Sequence, residues 1–471
     1  SGKVTDDNGE PLIGASILIS GTSIGTTTDV DGNFSFSTNE QPPFTLEVSY
    51  TGFNSLEQLV EGDASNLALS LAAGANVLGE VVLSASRRRE KVQEAPASVS
   101  VLGERQLRVS SQTADAARNL INVPGVQIQQ QSASRINIAM RGQALLFNTE
   151  IFPIMDYRSL VGPGIGTFQT DGAGISTVDL ARIEVVRGPG SALYGPGVNS
   201  GVIHFITKNP IDYPGTTVEL MGGELSTFGI TGRHATKVSD KFGFKINAQY
   251  RQGDEFTLDP NDPEDALQIA KFTTTGVFQP AVTGGVVDVT KPPEQLKTFE
   301  ELDEDGDGNP MQSDWFNAAI NTTLEFRPND DLSLNLSGGF NQASSVFYNE
   351  QGEGLAQATE YWWQARTQWK GLFFQVFGVD NDGGTKDNPT FLYQTGNRTP
   401  VARTQLESQL QYNFDTPGFL NSNWTVGVDY RFAGQETENL VYGRNEDDDD
   451  FSVVGGYVQG KFALASKLDL V

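Results

Sequence analysis

Between Arg182 and Lys208 the chain reads R-I-E-V-V-R-G-P-G-S-A-L-Y-G-P-G-V-N-S-G-V-I-H-F-I-T-K. The I-E-V-V and G-V-I-H-F-I-T runs have the β-branched density of strands, and the glycines and prolines between them can continue neither. The stretch predicts a strand, a glycine-rich turn, a short helical A-L-Y and a second strand. A phosphate-cradling loop would need Gly-Lys-Ser/Thr, or G-x-G-x-x-G between strand and helix, and this turn has neither. His204, between β-branched neighbours with no second histidine near it, reads as a packed strand residue rather than a metal ligand.

Upstream, A-P-A-S-V-S-V-L opens a strand, and T-A-D-A-A-R-N-L-I has helical spacing with Thr113 as its expected N-cap. N-V-P-G-V then closes that helix at Pro124 and Gly125. Residues from about 96 to 212 therefore form a mixed α/β unit.

Downstream the period changes to two and stays there. Phe242, Phe244, Ile246, Ala248 and Tyr250 alternate with Gly243, Lys245, Asn247, Gln249 and Arg251, and Leu332, Leu334, Leu336 and Phe340 with Ser333, Asn335, Ser337 and Asn341. Trp424 to Phe432 repeats the pattern. One face is apolar and the other polar, which suits a soluble sandwich or a transmembrane barrel equally. The connections separate them. About ten strands are joined by linkers that are short at every second junction (V-S-D-K, P-N-D-D, K-G, A-S-K), while the others include a loop at about 255–314 and a middling loop at the junction between P-N-D-D and K-G. Tight turns on one side and long loops on the other are expected of an outer-membrane barrel. Trp315, Phe316, Trp362, Trp363, Trp369, Phe373 and Trp424, near strand ends, are expected to form its interfacial girdles.

Composition excludes other classes. Against 59 acidic side chains stand 32 basic ones, for a net charge of −27, which argues against a nucleic-acid partner. Mean hydropathy is −0.31, and no apolar run approaches the ~20 residues of a membrane helix. There is no cysteine, and two histidines, His204 and His234, leave little for acid–base catalysis. The chain is read as not an enzyme, requiring no cofactor.

Residues 1–72 contain short apolar runs between turn signals, the pattern of a small antiparallel β-sandwich, with Asp31-Gly32-Asn33 turning into Phe34 and Phe36 on one face. The linker at 73–95 holds one β-prone run, Glu80, Val81, Val82, Leu83, Ser84 and Ala85, ahead of a basic cluster from Arg87 to Lys91. Such a run, expected to be unpaired in its own domain, can add to the sheet edge of another protein. In the long loop, D-E-D-G-D-G-N-P-M-Q-S-D places Asp303, Asp305, Asp307, Asn309 and Asp314 near calcium-loop spacing, with aspartate in place of the usual bidentate glutamate at position twelve. Structural Ca²⁺ is its expected ligand.

These motifs resemble known families. G-K-V-T-D-D-N-G-E-P-L-I-G-A-S-I followed by G-T-T-T-D-V-D-G-N-F-S-F resembles the carboxypeptidase-regulatory-like domain, which in Bacteroidetes commonly precedes an outer-membrane transporter. The Arg182–Lys208 stretch, with Arg182, Glu184, Gly188, Tyr194 and Gly195, resembles the C-terminal signature of TonB-dependent receptor plugs. Glu80–Ala85 resembles the TonB box.

The resemblance implies an Ig-like β-sandwich at 1–72, a linker with the TonB box at 73–95, a plug at 96–212, and at 213–471 the first part of a large antiparallel barrel of about 22 strands. K-L-D-L-V at 467–471 reads as the start of one more strand. It implies Arg141 and Arg187 as plug arginines paired with acids on the inner wall, a latch between plug and barrel. It further implies active import of a scarce or bulky solute across the bacterial outer membrane, with TonB and membrane lipid as partners. A surface lipoprotein is a further expected partner, and the solute stays unidentified. The alternative is a barrel-anchored scaffold that docks proteins through its outer loops.

Overall fold

The computed structural model describes the chain apart from residues 7–8, 21, 23, 39, 51–55, 63–64, 72–80, 83–89, 92–96, 111–114, 143–149, 163–167, 169, 189, 191–193, 195–197, 257, 260, 272–274, 304–305, 307–313, 350–351, 466–467 and 471. It divides into two compact units, Ser1–Ala95 and Pro96–Val471.

The alternating segments form one antiparallel sheet in which each strand on the main path pairs with the next along the chain. Its members are β1 (Gly215–Gly222), β2 (Phe228–Ser239), β3 (Phe242–Asp254), β4 (Asp314–Asn329), β5 (Leu332–Asn349), β6 (Gly352–Trp369), β7 (Leu372–Gly383), β8 (Val401–Thr416), β9 (Ser422–Glu436), β10 (Phe451–Ala465) and the short β11 (Leu468–Leu470). Off this path, Phe391–Leu392 pairs with Gly354 and Leu355 near the start of β6. Ten long strands agree with the sequence reading.

The two faces are inside out relative to a water-soluble protein. Leu220, Leu336 and Val458 are 69%, 53% and 70% exposed, while Asn247, Asn317 and Gln364 on the opposite face are 1%, 2% and 1% exposed. Apolar outside and polar inside is the arrangement of a sheet whose outer solvent is lipid. No described helix is long and apolar enough to cross a membrane.

One connection differs from expectation. A middling loop was expected between β5 and β6, but the two strands remain paired as far as Asn349 and Gly352, so the hairpin arm itself extends. The aromatic assignment also needs correction. Trp315 is buried on the inner face with Asn317 and Ala319, Trp362 packs against the inner unit's core, and the Phe373 ring lies 5.0 Å from that of Tyr157. Adjacent strand residues point to opposite sides, so of Trp362 and Trp363 only one can face lipid. That one is Trp363, with Trp369. Tyr412, Phe414, Trp424, Phe462 and Phe419 make a chain of ring contacts at the tight-turn end of β8–β10, a girdle at one interface.

Against the polar face sits a unit with its own apolar core of Leu102, Leu107, Leu120, Ile138, Ile183, Phe205 and neighbours. Its mixed sheet orders Ser98–Gly103, Leu180–Arg187, Gly201–Thr207, Ile151–Met155 and Arg158–Ser159, and a separate hairpin pairs Val126–Gln130 with Ile136–Met140. The predicted strand–turn–strand of 182–208 is its centre: the two strands are antiparallel neighbours, Val185 opposite Ile203. The expected helix is a 3₁₀ segment, Ala116–Asn122, and its cap is Asp115, whose carboxylate accepts from the Ala117 N–H at 2.8 Å. Thr113 lies outside the described residues.

The N-terminal unit packs a three-stranded sheet on a four-stranded one around Val4, Ile17, Phe34, Leu46, Val48, Leu69 and Leu71. It is not wholly antiparallel, because Gly2–Asp6 runs parallel to Leu67–Leu71. In the linker, Val81 and Val82 pair with Lys91 and Glu90, a two-residue ladder that the sequence reading, expecting an unpaired run, did not foresee.

Candidate functional site: the plug against the wall

Polar residues on the inner face have somewhere to go because the inner unit presents charges and carbonyls to them. Asp179, entering the Leu180–Arg187 strand, lies between two wall cations: Arg233 Nε of β2 donates to Oδ1 at 2.8 Å and Lys245 Nζ of β3 to Oδ2 at 2.7 Å. All three side chains are more than nine-tenths buried. In such surroundings a charge left alone costs several kcal/mol, so each member requires the others.

Lys245 also donates to Thr207 Oγ1 at 2.8 Å, and that hydroxyl donates to Asp156 Oδ2 at 2.5 Å. Asp156 and Tyr157 form the two-residue turn joining Ile151–Met155 to Arg158–Ser159, at φ of 47° and 73°. Two left-handed non-glycine residues in succession cost energy. The wall holds the turn: Arg366 Nη1 and Gln364 Nε2 donate to the Asp156 carbonyl at 2.7 and 2.9 Å, and Gln375 Nε2 to that of Tyr157 at 3.0 Å. Burial alone would raise the Asp156 carboxyl, but the Arg366 and Lys245 charges and the Thr207 hydrogen bonds hold it below the usual range. The Tyr157 ring lies 4.8 Å from the ring of His204. His204 is fully buried, and burial pushes it down to about 4 against the pull of Glu184 and Asp156, so it is neutral and packed, as its strand position suggested.

A second clasp lies along 171–174. Asn317 and Asn321 of β4 donate to the carbonyls of Asp171 and Gly174 at 2.7 and 3.1 Å, and Asn341 of β5 donates to that of Gly172 at 2.8 Å. The Asp171 carboxylate accepts from Arg135 Nη2 at 2.9 Å and from Ser345 of β5. Burial would raise Asp171, but Arg135 beside it keeps it low. A third contact stacks the buried Arg158 guanidinium 4.1 Å over Trp362, with Glu360 at 3.9 Å.

The expected latch residues take other places. Arg187 donates to the Pro124 carbonyl and to Ser100 Oγ, both at 2.9 Å and both within the inner unit. Arg141 is exposed at φ 54°, and neither arginine reaches a wall acid among the described residues. The latch observed has the opposite polarity, an inner acid between wall bases. Of the signature residues, Arg182 Nε donates to the fully buried Glu184 at 2.8 Å, Gly188 sits at φ 130°, Tyr194 is buried beside Phe152, and Gly195 is outside the described residues. Of the proposed calcium ligands only Asp303 and Asp314 are described, and Asp305, Asp307 and Asn309 are not. Glu80 and Leu83–Ala85 are likewise outside. Sequence reasoning missed Asp179, Arg233, Asp171 and Arg135. Charged residues in the inward parity of β2 and β3 were the available signal, and nothing in the sequence named their partner.

With this geometry in view, two family models match: the CarboxypepD_reg-like domain over residues 1–83 and the TonB-dependent Receptor Plug Domain over residues 91–202. The inner unit is a TonB-dependent receptor plug. The curated relatives include the TonB-dependent receptor SusC of Bacteroides thetaiotaomicron, 26% identical over 214 residues covering 44% of this chain and 20% of that one. The vitamin B12 transporter BtuB of Vibrio vulnificus is 28% identical over 143 residues, 30% of this chain and 23% of that one. The aligned part thus spans about a fifth of these relatives' length. Among solved structures, the siderophore receptor PirA of Acinetobacter baumannii superposes with a TM-score of 0.54 over 81% of this chain and 56% of that one, at 13% identity. The alcaligin receptor FauA of Bordetella pertussis gives 0.51 over 83% and 56%, at 15%. Both are similar to this chain in fold.

Proposed function

We propose that this chain is the plug-bearing part of an outer-membrane importer whose plug is released by force from TonB. The observation that carries this reading is the plug seated on the buried polar face of a sheet whose apolar face is exposed, held there by Asp179 between Arg233 and Lys245. A plug fixed by many separate polar contacts stays closed until work is done on it, and a pull that favours the displaced state shifts the population. In this reading lipid surrounds β1–β11, the N-terminal domain is periplasmic, the loop at about 255–314 is extracellular, and TonB adds a strand at Glu80–Ala85. Ca²⁺ in the Asp303–Asp314 loop and a surface lipoprotein at the outer mouth belong to the same proposal. Ca²⁺ predicts chelator-sensitive protease resistance of that loop.

The test is deletion of Glu80–Ala85 in the full-length protein, with uptake followed for the solute that co-purifies with it. Uptake should stop while the protein stays in the outer membrane. Undiminished uptake would refute the proposal, and binding of a partner protein that survives the deletion would favour a scaffold instead.

A further inference from the structure

With the tight turns on one side of the sheet, the long connections fall on the other, and three of them, residues 255–313, 384–400 and 437–450, meet in one place. Arg398 is where they meet. Its guanidinium is 3% exposed, and all five of its N–H groups are used. Within its own loop, Nε and Nη2 donate to the Gly384 carbonyl at 2.9 and 2.7 Å. Gln279 of the first loop accepts from Nη1 at 2.7 Å. The Glu438 carboxylate of the third accepts from Nη1 and Nη2, both at 2.8 Å, and this pairing holds it below the usual carboxylate range. No donor is left over for a solute, so Arg398 acts on the loops themselves.

Backbone and apolar side chains repeat the connection. The Phe278 N–H donates to the Gly396 carbonyl and the Arg398 N–H to the Phe278 carbonyl, both at 2.8 Å, a parallel bridge between the first loop and the second. Val277 and Leu302 of the first loop pack with Phe391 and Tyr393 of the second and Leu355 of β6 in a small apolar core of their own. In the third loop the buried Glu446 accepts from the Thr437 hydroxyl at 2.8 Å and from the N–H groups of Thr437 and Asn439, which fixes the turn that carries Glu438. The Gly285 turn of the first loop lies against the third, where a Cβ would stand 3.1 Å from Arg444 Cα.

Surface loops ordinarily open separately, each at a small cost. Here each separate opening is costly. Withdrawing 437–450 alone strands a buried guanidinium without its counter-charge. Withdrawing 255–313 alone removes the Gln279 acceptor and bares the apolar core, and withdrawing 384–400 takes Arg398 from both partners. We infer that Arg398 is a positioning residue that locks the three loops into one canopy, so that this side of the mouth opens and closes in a single cooperative step. The canopy's role in admitting solute rests on the import reading, whereas the coupling among the loops does not.

The test is hydrogen exchange of the full-length protein in nanodiscs, read on peptides covering 276–279, 384–399 and 437–446. Arg398→Gln should speed exchange in all three by roughly tenfold or more, while plug peptides at 201–207 and those of the N-terminal domain stay unchanged. Arg398→Lys, which keeps the charge but cannot span acceptors on three loops, should restore part of the protection. Glu438→Gln, made in the third loop, should loosen the first and second as well, because coupling between sites is reciprocal. The chain has no cysteine, so spin labels at Val289→Cys and Asn445→Cys report on two of the loops alone: one narrow distance in the parent and a broad distribution in Arg398→Gln. Heat-modifiable migration on gels confirms that each variant remains folded. Loosening confined to 384–399 in Arg398→Gln, an unchanged label distance, or no effect of Glu438→Gln outside its own loop would overturn the canopy. Uptake undiminished by deletion of Glu80–Ala85, with the three loops still loosening together, would sink the import reading and leave the canopy standing.

Discussion

Replacing Asp179 with Asn keeps the shape of the plug's clamp and removes its charge. Arg233 and Lys245, 4% and 5% exposed, then face each other's charge with no anion between them. Removing one partner of a buried ion pair typically costs about 3–5 kcal/mol, mostly because the remaining charge is left buried and uncompensated. At 1.36 kcal/mol per tenfold, about 4 kcal/mol raises the displaced population on the order of a thousandfold. The assay is hydrogen exchange of the intact chain in nanodiscs, read on peptides covering 176–187 and 201–207. In Asp179→Asn these should exchange roughly 10²–10³ times faster, while peptides of the N-terminal domain stay unchanged. A triple variant, Asp179→Asn with Arg233→Gln and Lys245→Gln, should recover much of the protection, because stranded charge rather than lost attraction is the main cost. Exchange within about threefold of the parent, or no recovery in the triple variant, would refute the account of the latch.

Three further outcomes are expected. Asp29 accepts from the N–H groups of Asn33 and Asp31 at 2.8 and 3.0 Å, and these bonds, that from Asn33 foremost, hold its carboxyl below the usual value. Its contribution is therefore full above the ordinary carboxylate pKa and lost as pH falls through the lowered one. Exchange protection of the 29–36 turn should fall on acidification below about pH 4, and Asp29→Ala should flatten that dependence. At Gly201 an added Cβ would stand 2.2 Å from the Val186 carbonyl oxygen, which cannot yield without opening the central strand pair. Gly201→Ala should cost about 1–3 kcal/mol of plug stability, measured as a lower unfolding midpoint of the plug. Trp362→Leu removes the ring under Arg158 and should cost about 2 kcal/mol in the same measurement, with Trp363→Leu, its outward neighbour, costing less.

How far the sequence could be read depended on whether the signal was local. The β2–β10 strands were legible because each carries its own period-two pattern, and the plug's central pair because strand, glycine turn and strand are contiguous. The 3₁₀ form of Ala116–Asn122 and its Asp115 cap escaped because three- and four-residue spacing look alike over seven residues. The hairpin arm of β5 and β6 escaped because its polar residues read as a loop, although their backbones stay in register to Asn349 and Gly352.

The sequence by itself determined the alternation, the order of domains and the presence of a plug, since each is written in neighbouring residues. Tertiary structure alone decided which of two adjacent tryptophans meets lipid, and that Asp179 of the plug sits between Arg233 and Lys245 of the wall. Asp179 meets partners 54 and 66 residues away. An aspartate carries no mark of the cation it will face until folding buries both, and burial is what turns their proximity into a constraint.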